Sequence, residues 1–122
     1  MGKLDPTARQ IISFSRTPFS PYDRFGREEP GLTWLPLSPD SKNGGPGCFA
    51  LRFAAGARSQ FHQHTEVEEF YVLDGELIDD DGERLRAGDF VRYEAGSEHW
   101  SHAPGGALIL VFLRSPNLRI VR

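Results

Sequence analysis

The 122-residue chain contains a single cysteine, Cys48. One cysteine cannot form a disulfide within the chain, and it cannot assemble a thiolate metal site there. We therefore expect Cys48 to be a buried structural thiol at the start of a strand.

The chain also lacks an excess of basic residues. It has 14 lysines and arginines against 17 aspartates and glutamates, which gives a net charge of −3 at pH 7. Nucleic acids and anionic membranes both bind basic faces of proteins. We therefore expect neither of them as a partner.

Long apolar runs are missing as well. The longest, Ala107 to Leu113, is far too short to span a bilayer. The N-terminal residues include no apolar segment of a secretory signal, and Pro6 stands where a myristoylation signal needs Ser or Thr. The sequence therefore favours a cytoplasmic protein.

A helical period of useful length is absent, whereas turn residues are frequent, with 13 glycines and 9 prolines. Turn signals recur about every 8–12 residues, which is typical of an antiparallel sandwich or barrel. We expect an all-β single domain over residues 1–122, with an irregular arm over about 1–30 and a barrel over about 31–122. The predicted strands are Thr33–Leu37, Phe49–Phe53, Gln60–Leu73, Glu76–Asp80, Glu83–Leu85, Phe90–Tyr93, His99–Ser101 and Ala107–Leu113.

Two further local features are predicted. The pairs Asp74-Gly75 and Asp81-Gly82 are typical of tight hairpin turns. In the arm, residues 7–13 could form a short helix or an edge strand.

All four histidines lie between residues 62 and 102. His62 and His64 are two residues apart on a predicted strand, so both imidazoles point to one face. Glu68 is an even number of residues further on, so its side chain can point to the same face. Glu69 has the opposite parity and should face outward. Imidazole nitrogen and carboxylate oxygen suit zinc, iron, manganese, nickel or copper, and His99 could complete the set from a neighbouring strand. The alternative is an exposed strand face on which these side chains are simply solvated.

The region around these residues resembles the cupin family. The first cupin motif runs Gly, five residues, His-x-His, three or four residues, Glu, six residues, Gly. Here Gly56 is followed after five residues by His62-Gln63-His64, then by Glu68 and, six residues further on, by Gly75. Every element of the motif is present.

The second cupin motif runs Gly, five residues, Pro-x-Gly, two residues, His, three residues, Asn. Here Gly88 precedes Gly96 and His99 at these spacings, but Glu94 replaces the proline and Ala103 replaces the asparagine. The resemblance implies a double-stranded β-helix, the cupin or jelly-roll barrel. It also implies one divalent transition metal per chain (Fe, Zn, Mn or Ni), with His62, His64, Glu68 and His99 as ligands.

Within the cupins, residues 68–75 and 87–99 are similar to two groups. One comprises acetylacetone-cleaving dioxygenases, and the other the zinc-binding cupin domain of ChrR-type anti-sigma factors. The first likeness implies an enzyme, in which iron is favoured and the substrate is a small dicarbonyl or a related organic molecule. The second implies a non-catalytic zinc-binding sensor or ligand-binding module. A sugar isomerase or epimerase, also found among cupins, is disfavoured because the residues expected to line the pocket are mainly apolar.

Several residues carry narrower expectations. Parity with Glu68 predicts that Phe70 and Val72 face the pocket or the core, and Gln60 could hydrogen-bond a ligand or merely a strand partner. We expect Glu98 in a solvated turn and His102 at the surface or rim.

The remaining expectations concern contacts. We expect Trp34 and Trp100 in the core or at a dimer contact. The resemblance also implies a homodimer.

Overall fold

A computed structural model describes residues 2–41, 46–115 and 118–119. Strands and one short 3-10 helix, Pro6–Ala8, make up the regular structure of these residues. The strands are β1 Ser20–Pro21, β2 Leu32–Pro36, β3 Gly47–Phe53, β4 Ala57–Arg58, β5 His62–Gln63, β6 Glu68–Asp79, β7 Arg84–Arg86, β8 Phe90–Tyr93, β9 Glu98–His99, β10 Ser101–Ala103, β11 Ala107–Leu113 and β12 Leu118–Arg119. The prediction of an all-β protein is confirmed.

The strands form two antiparallel sheets. The larger has the order β1-β2-β3-β11-β6-β10-β4, with β7 and β8 also paired to β6, and the smaller has the order β12-β5-β9. Strand β6 is long enough to join two parts of the larger sheet, since its first half pairs with β8 and β11 and its second half with β7 and β10. The small sheet carries two of the histidines, His62 and His99, opposite each other.

Alternation of side chains explains how the strands enclose a core. Along β11, Ala107, Ile109, Val111 and Leu113 are buried, whereas the residues between them are half-buried or exposed. This period of two is the pattern of a strand with one face on the core. The core contains large apolar side chains from five strands: Leu32, Trp34, Phe49, Leu51, Phe53, Phe70, Val72, Leu77, Leu85, Ile109, Val111 and Leu113. Trp34 therefore lies in the core.

The prediction of a turn at Asp74-Gly75 is wrong. Strand β6 runs through both residues, and both still pair with β11. The register shifts beside them. Leu108 of β11 pairs with Asp74, whereas Ile109 pairs with Val72, so the intervening Leu73 of β6 forms a bulge. Gly75 adopts a φ of 76° within the strand. The second predicted turn is correct, since Gly82 N–H donates to Asp79 O between β6 and β7.

The prediction of one strand over Gln60–Leu73 is also wrong. The chain forms the short β5, leaves it at His64 and begins β6 at Glu68. His64 instead exchanges backbone hydrogen bonds with the loop after β8, because its N–H donates to Ser97 O and its carbonyl accepts from Gly96 N–H.

The N-terminal arm is partly built into the barrel. Strand β1 pairs with β2, and the Tyr22 side chain that follows it is 7% exposed in the core. Backbone hydrogen bonds from Tyr22 N to Leu32 O and from Glu29 N to Tyr22 O then fold the following loop onto the barrel. Of the two alternatives for residues 7–13, a short helix or an edge strand, the structure shows only the end of the Pro6–Ala8 helix.

In the part of the chain that the structure describes, no helix has the length and apolar character needed to cross a bilayer.

Candidate metal centre

The barrel brings the four predicted ligands together. His62 lies on β5 and pairs with His99 on β9, His64 follows β5, and Glu68 begins β6. The ring centroids of the three histidines are 4.7 to 4.9 Å apart. One nitrogen from each imidazole and one carboxylate oxygen lie within 4.8 Å of one another. Such a cluster could hold a metal ion.

The Nδ1 atoms of His62 and His64 are held by groups outside the cluster. His62 Nδ1–H donates to Gln60 O over 2.7 Å. His64 Nδ1 lies 2.8 Å from Ser97 Oγ, whose own hydroxyl donates to Glu94 O, so the imidazole is the donor in this pair. These bonds fix the tautomer that leaves Nε2 available to a metal.

His99 is held by a third anchor, Asp79. Its Nδ1–H donates to Asp79 Oδ1 over 3.0 Å, and the same carboxylate accepts from Ser101 Oγ and, at 2.7 Å, from Tyr93 Oη. Burial would raise the pKa of Asp79, but the three hydrogen bonds outweigh it and leave the pKa below its usual value. Asp79 is therefore a carboxylate that orients His99.

The cluster is buried, and burial keeps the His62 imidazole uncharged. His64, Glu68 and His99 are each less than 9% exposed. Burial lowers the pKa of His62 to about 4, because it outweighs the opposing effect of the Glu68 carboxylate. His62 is therefore neutral at pH 7, the form in which imidazole binds a metal.

Two Nε2 atoms indicate that the cluster suits a bound group. His99 Nε2 is buried and has no hydrogen-bond partner among the described residues. His64 Nε2 lies 2.8 Å from Glu68 Oε2 but makes no hydrogen bond with acceptable geometry. Leaving such an atom unsatisfied costs roughly 1–3 kcal/mol. Three imidazole nitrogens and one carboxylate oxygen fit a divalent transition metal, which would satisfy both atoms.

A small cavity adjoins the cluster. It has a volume of about 50 Å³, and His62, Glu68 and His99 line it together with mainly apolar side chains. Of the predicted pocket residues, Gln60 and Phe70 line this cavity, whereas Val72 is fully buried in the core and is not among its lining residues. Tyr22, Phe25 and Glu29 from the arm also line it, and sequence reasoning missed them.

Four other predictions concern residues outside the cluster. Glu98 is exposed, as expected, but it lies on β9 and not in a turn. His102 is half-buried between the buried Ser101 and Ala103. Trp100 is half-buried and lies under the Arg58 guanidinium, 4.2 Å from its ring centroid. The expectation of a buried Cys48 is wrong, because this residue is only half-buried on β3.

Glu69 points away from the cluster. It accepts a hydrogen bond from Arg92 Nη1 at 3.0 Å on the outer side of the sheet. This agrees with the opposite parity that the sequence assigned to it relative to Glu68.

Asp79→Asn should weaken metal binding about 10–100-fold, the usual cost of losing a group that orients a ligand. Asparagine cannot keep the charge-assisted bond to His99 and the bonds from Ser101 and Tyr93 at once. The measurement is a zinc competition titration against a chromophoric chelator. Asp80→Asn, which alters the neighbouring exposed carboxylate, is the control and should retain wild-type affinity. Equal affinities in the two variants would contradict the role given to Asp79.

An antiparallel β-barrel with three histidines and one glutamate at an inner cavity defines a cupin. The comparison with protein families agrees, because residues 8–116 match the family described as ChrR Cupin-like domain. The chain belongs to this family, and the cupin resemblance of its two motifs is confirmed.

A protein of known description is similar to part of this chain. An acireductone dioxygenase from Nostoc sp. (strain PCC 7120) is 32% identical over an alignment of 84 residues, and the match covers 62% of this chain and 44% of that protein. The matched region thus spans less than half of this relative.

Two solved structures share the fold. An acetylacetone dioxygenase from Acinetobacter johnsonii has a TM-score of 0.69 and 18% identity, covering 93% of this chain and 79% of that one. The complex of Rhodobacter sphaeroides SigE with the anti-sigma ChrR has a TM-score of 0.64 and 20% identity, covering 81% of this chain and 50% of that one. The double-stranded β-helix expected from the sequence is thereby confirmed.

Proposed function

We propose that the protein is a mononuclear metal-dependent dioxygenase that acts on a small dicarbonyl. The observation that carries this proposal is the position of His62, Glu68 and His99 in the wall of an apolar cavity, with His64 beside them. These four residues would hold one divalent metal, for which iron is the favoured choice in an enzyme. The bound metal would supply Lewis-acid chemistry and a site at which dioxygen and a chelating substrate meet.

The protein's own residues would select and confine the substrate. A single water needs about 10–15 Å³ of such a cavity, so a volume of about 50 Å³ admits only a small molecule. Phe49, Phe70 and Ile109 line the cavity beside the ligands and would exclude water from it. The names of two similar proteins, an acireductone dioxygenase and an acetylacetone dioxygenase, support the reaction class.

Oxygen uptake by the iron-loaded protein tests this proposal. We expect uptake that depends on both iron and an added dicarbonyl, across a panel of small 1,2- and 1,3-dicarbonyls. The zinc-loaded protein is the control and should show none, because zinc has no redox chemistry. Stoichiometric iron without uptake on any member of the panel would contradict the enzyme.

The family match favours a second candidate, a non-catalytic zinc-binding module that senses or binds a small ligand. Elemental analysis of protein purified without chelators separates the two. Stoichiometric zinc that survives dialysis, together with no oxygen uptake after iron loading, would support the module. Stoichiometric iron with substrate-dependent uptake would support the dioxygenase.

A further inference from the structure

The loop that follows β1 places an acidic side chain in the cavity wall. Glu29 is 5% exposed and lines the cavity together with Tyr22 and Phe25. Its backbone is fixed at both ends, because Glu29 N–H donates to Tyr22 O at 2.9 Å and Glu29 O accepts from Leu32 N–H at 3.1 Å. The position of this carboxylate is therefore set by the fold.

Glu29 is linked to one of the metal-binding candidates through a single residue. Gln60 N–H donates to Glu29 Oε1 over 3.1 Å, and Gln60 O accepts from His62 Nδ1–H over 2.7 Å. The carboxylate thus lies on the cavity side of the segment that holds His62. A molecule bound at the metal within this cavity would lie close to it.

The charges that line the cavity are of one sign. Glu29 and Glu68 are its two carboxylates, and none of the described lining residues is a lysine or an arginine. A ligand that carries a carboxylate would meet the negative charge of Glu29 in surroundings of low dielectric, where like charges repel strongly.

The charge of Glu29 acts on a neighbouring group in the cavity wall. Burial first, and Glu29 next, raise the pKa of Tyr22 far above its usual value. The Tyr22 phenol is therefore neutral at any physiological pH and does not add to the charge. Glu29 is left, with Glu68, as an acidic group of the cavity wall.

We propose that Glu29 determines specificity, so that the cavity admits dicarbonyl ligands without a carboxylate group and disfavours those that carry one. This inference rests on the proposed function, because it assumes a ligand that chelates the metal through carbonyl oxygens. It assigns to that ligand a class, the uncharged dicarbonyls.

The test uses two probes with the same number of heavy atoms and different charges, 2-oxopropanoate and its neutral amide, 2-oxopropanamide. Their affinities for the zinc-loaded protein are measured by calorimetry, since zinc supports no turnover. Glu29→Gln removes the charge and keeps the shape. We expect it to change the ratio of the two affinities about tenfold in favour of 2-oxopropanoate, about 1.4 kcal/mol.

Two control variants bracket this measurement. Glu28→Gln removes the same charge from the adjacent, exposed residue and should leave the ratio unchanged. Glu29→Asp keeps the charge and should stay within about threefold of the wild-type ratio. The wild-type protein should bind the amide at least as tightly as the oxo acid, which is the reverse of the preference of free zinc ions. This comparison needs no variant, so it tests the proposal even if Glu29→Gln does not fold.

Each outcome bears on the proposal. A tenfold change confined to Glu29→Gln supports it. Loss of both affinities by the same factor would show that Glu29 only supports the structure and would overturn the inference, as would a wild type that prefers 2-oxopropanoate. Binding of neither probe to zinc-loaded wild type would overturn the dicarbonyl chemistry of the proposed function as well.

Discussion

His99→Ala should bind zinc at least about 100-fold more weakly than the wild type. The substitution removes one of three imidazole nitrogens, and groups that merely orient a ligand already contribute 10–100-fold. It also leaves Asp79 without the imidazole that it orients. A competition titration against a chromophoric chelator measures the affinity, and circular dichroism verifies that the variant folds.

His102→Ala is the matched control for this variant. His102 lies three residues further along the chain, on β10, and is absent from the cluster of four. The zinc affinity of the His102→Ala variant should equal that of the wild type. The reverse pattern, in which His102 is essential and His99 dispensable, would show that the second motif had been aligned wrongly.

Gly75→Ala should lower the free energy of unfolding by at least about 3 kcal/mol. Gly75 has a φ of 76°, which is unfavourable for any residue with a side chain and costs roughly 1–2 kcal/mol by itself. A Cβ atom there would also clash with the carbonyl oxygen of Gly106, a backbone atom that cannot rotate away. Relief of this contact would require β6 and β11 to separate at the bulge. Urea unfolding of the metal-free protein measures the loss.

Gly82→Ala separates the effect of conformation from that of the close contact. Gly82 has a φ of 91°, but a Cβ atom there would meet no heavy atom within 4 Å. We expect a loss of only about 1–2 kcal/mol for this variant. Equal losses for the two variants would contradict the close approach of the strands at Gly75.

Strands whose pattern is set by the core could be predicted from the sequence. The bounds of β8 and β11 agree with the predicted Phe90–Tyr93 and Ala107–Leu113. In both, side chains alternate between the two faces of the sheet, and this period is visible in a single segment. The four clustered side chains were also predicted, because spacing and the two motifs indicate them together.

The local route to that cluster was predicted incorrectly. Strand parity places His64 and Glu68 on one continuous strand, whereas the chain leaves β5 at His64. The backbone partner that draws it away is the loop at Gly96 and Ser97, more than thirty residues further on. Period-two patterns report only neighbours in sequence, so they could not reveal this pairing.

Residues that act through tertiary contacts could not be predicted either. Asp79 falls near the end of the predicted strand Glu76–Asp80, beside two further aspartates before a glycine, and nothing in this pattern indicates a buried partner. Its role depends on His99 and Ser101, some twenty residues away. Glu29 lies in the arm, where no periodic pattern indicates which side chains face the barrel.

An anomalous-difference map from crystals of the zinc-loaded protein tests the central claim most directly, because it locates the metal without reference to activity. The account predicts one zinc ion per chain, about 2.0–2.2 Å from Nε2 of His62, His64 and His99 and from a Glu68 oxygen. A map with no density among these four side chains, or with zinc bound at His102 instead, would contradict it.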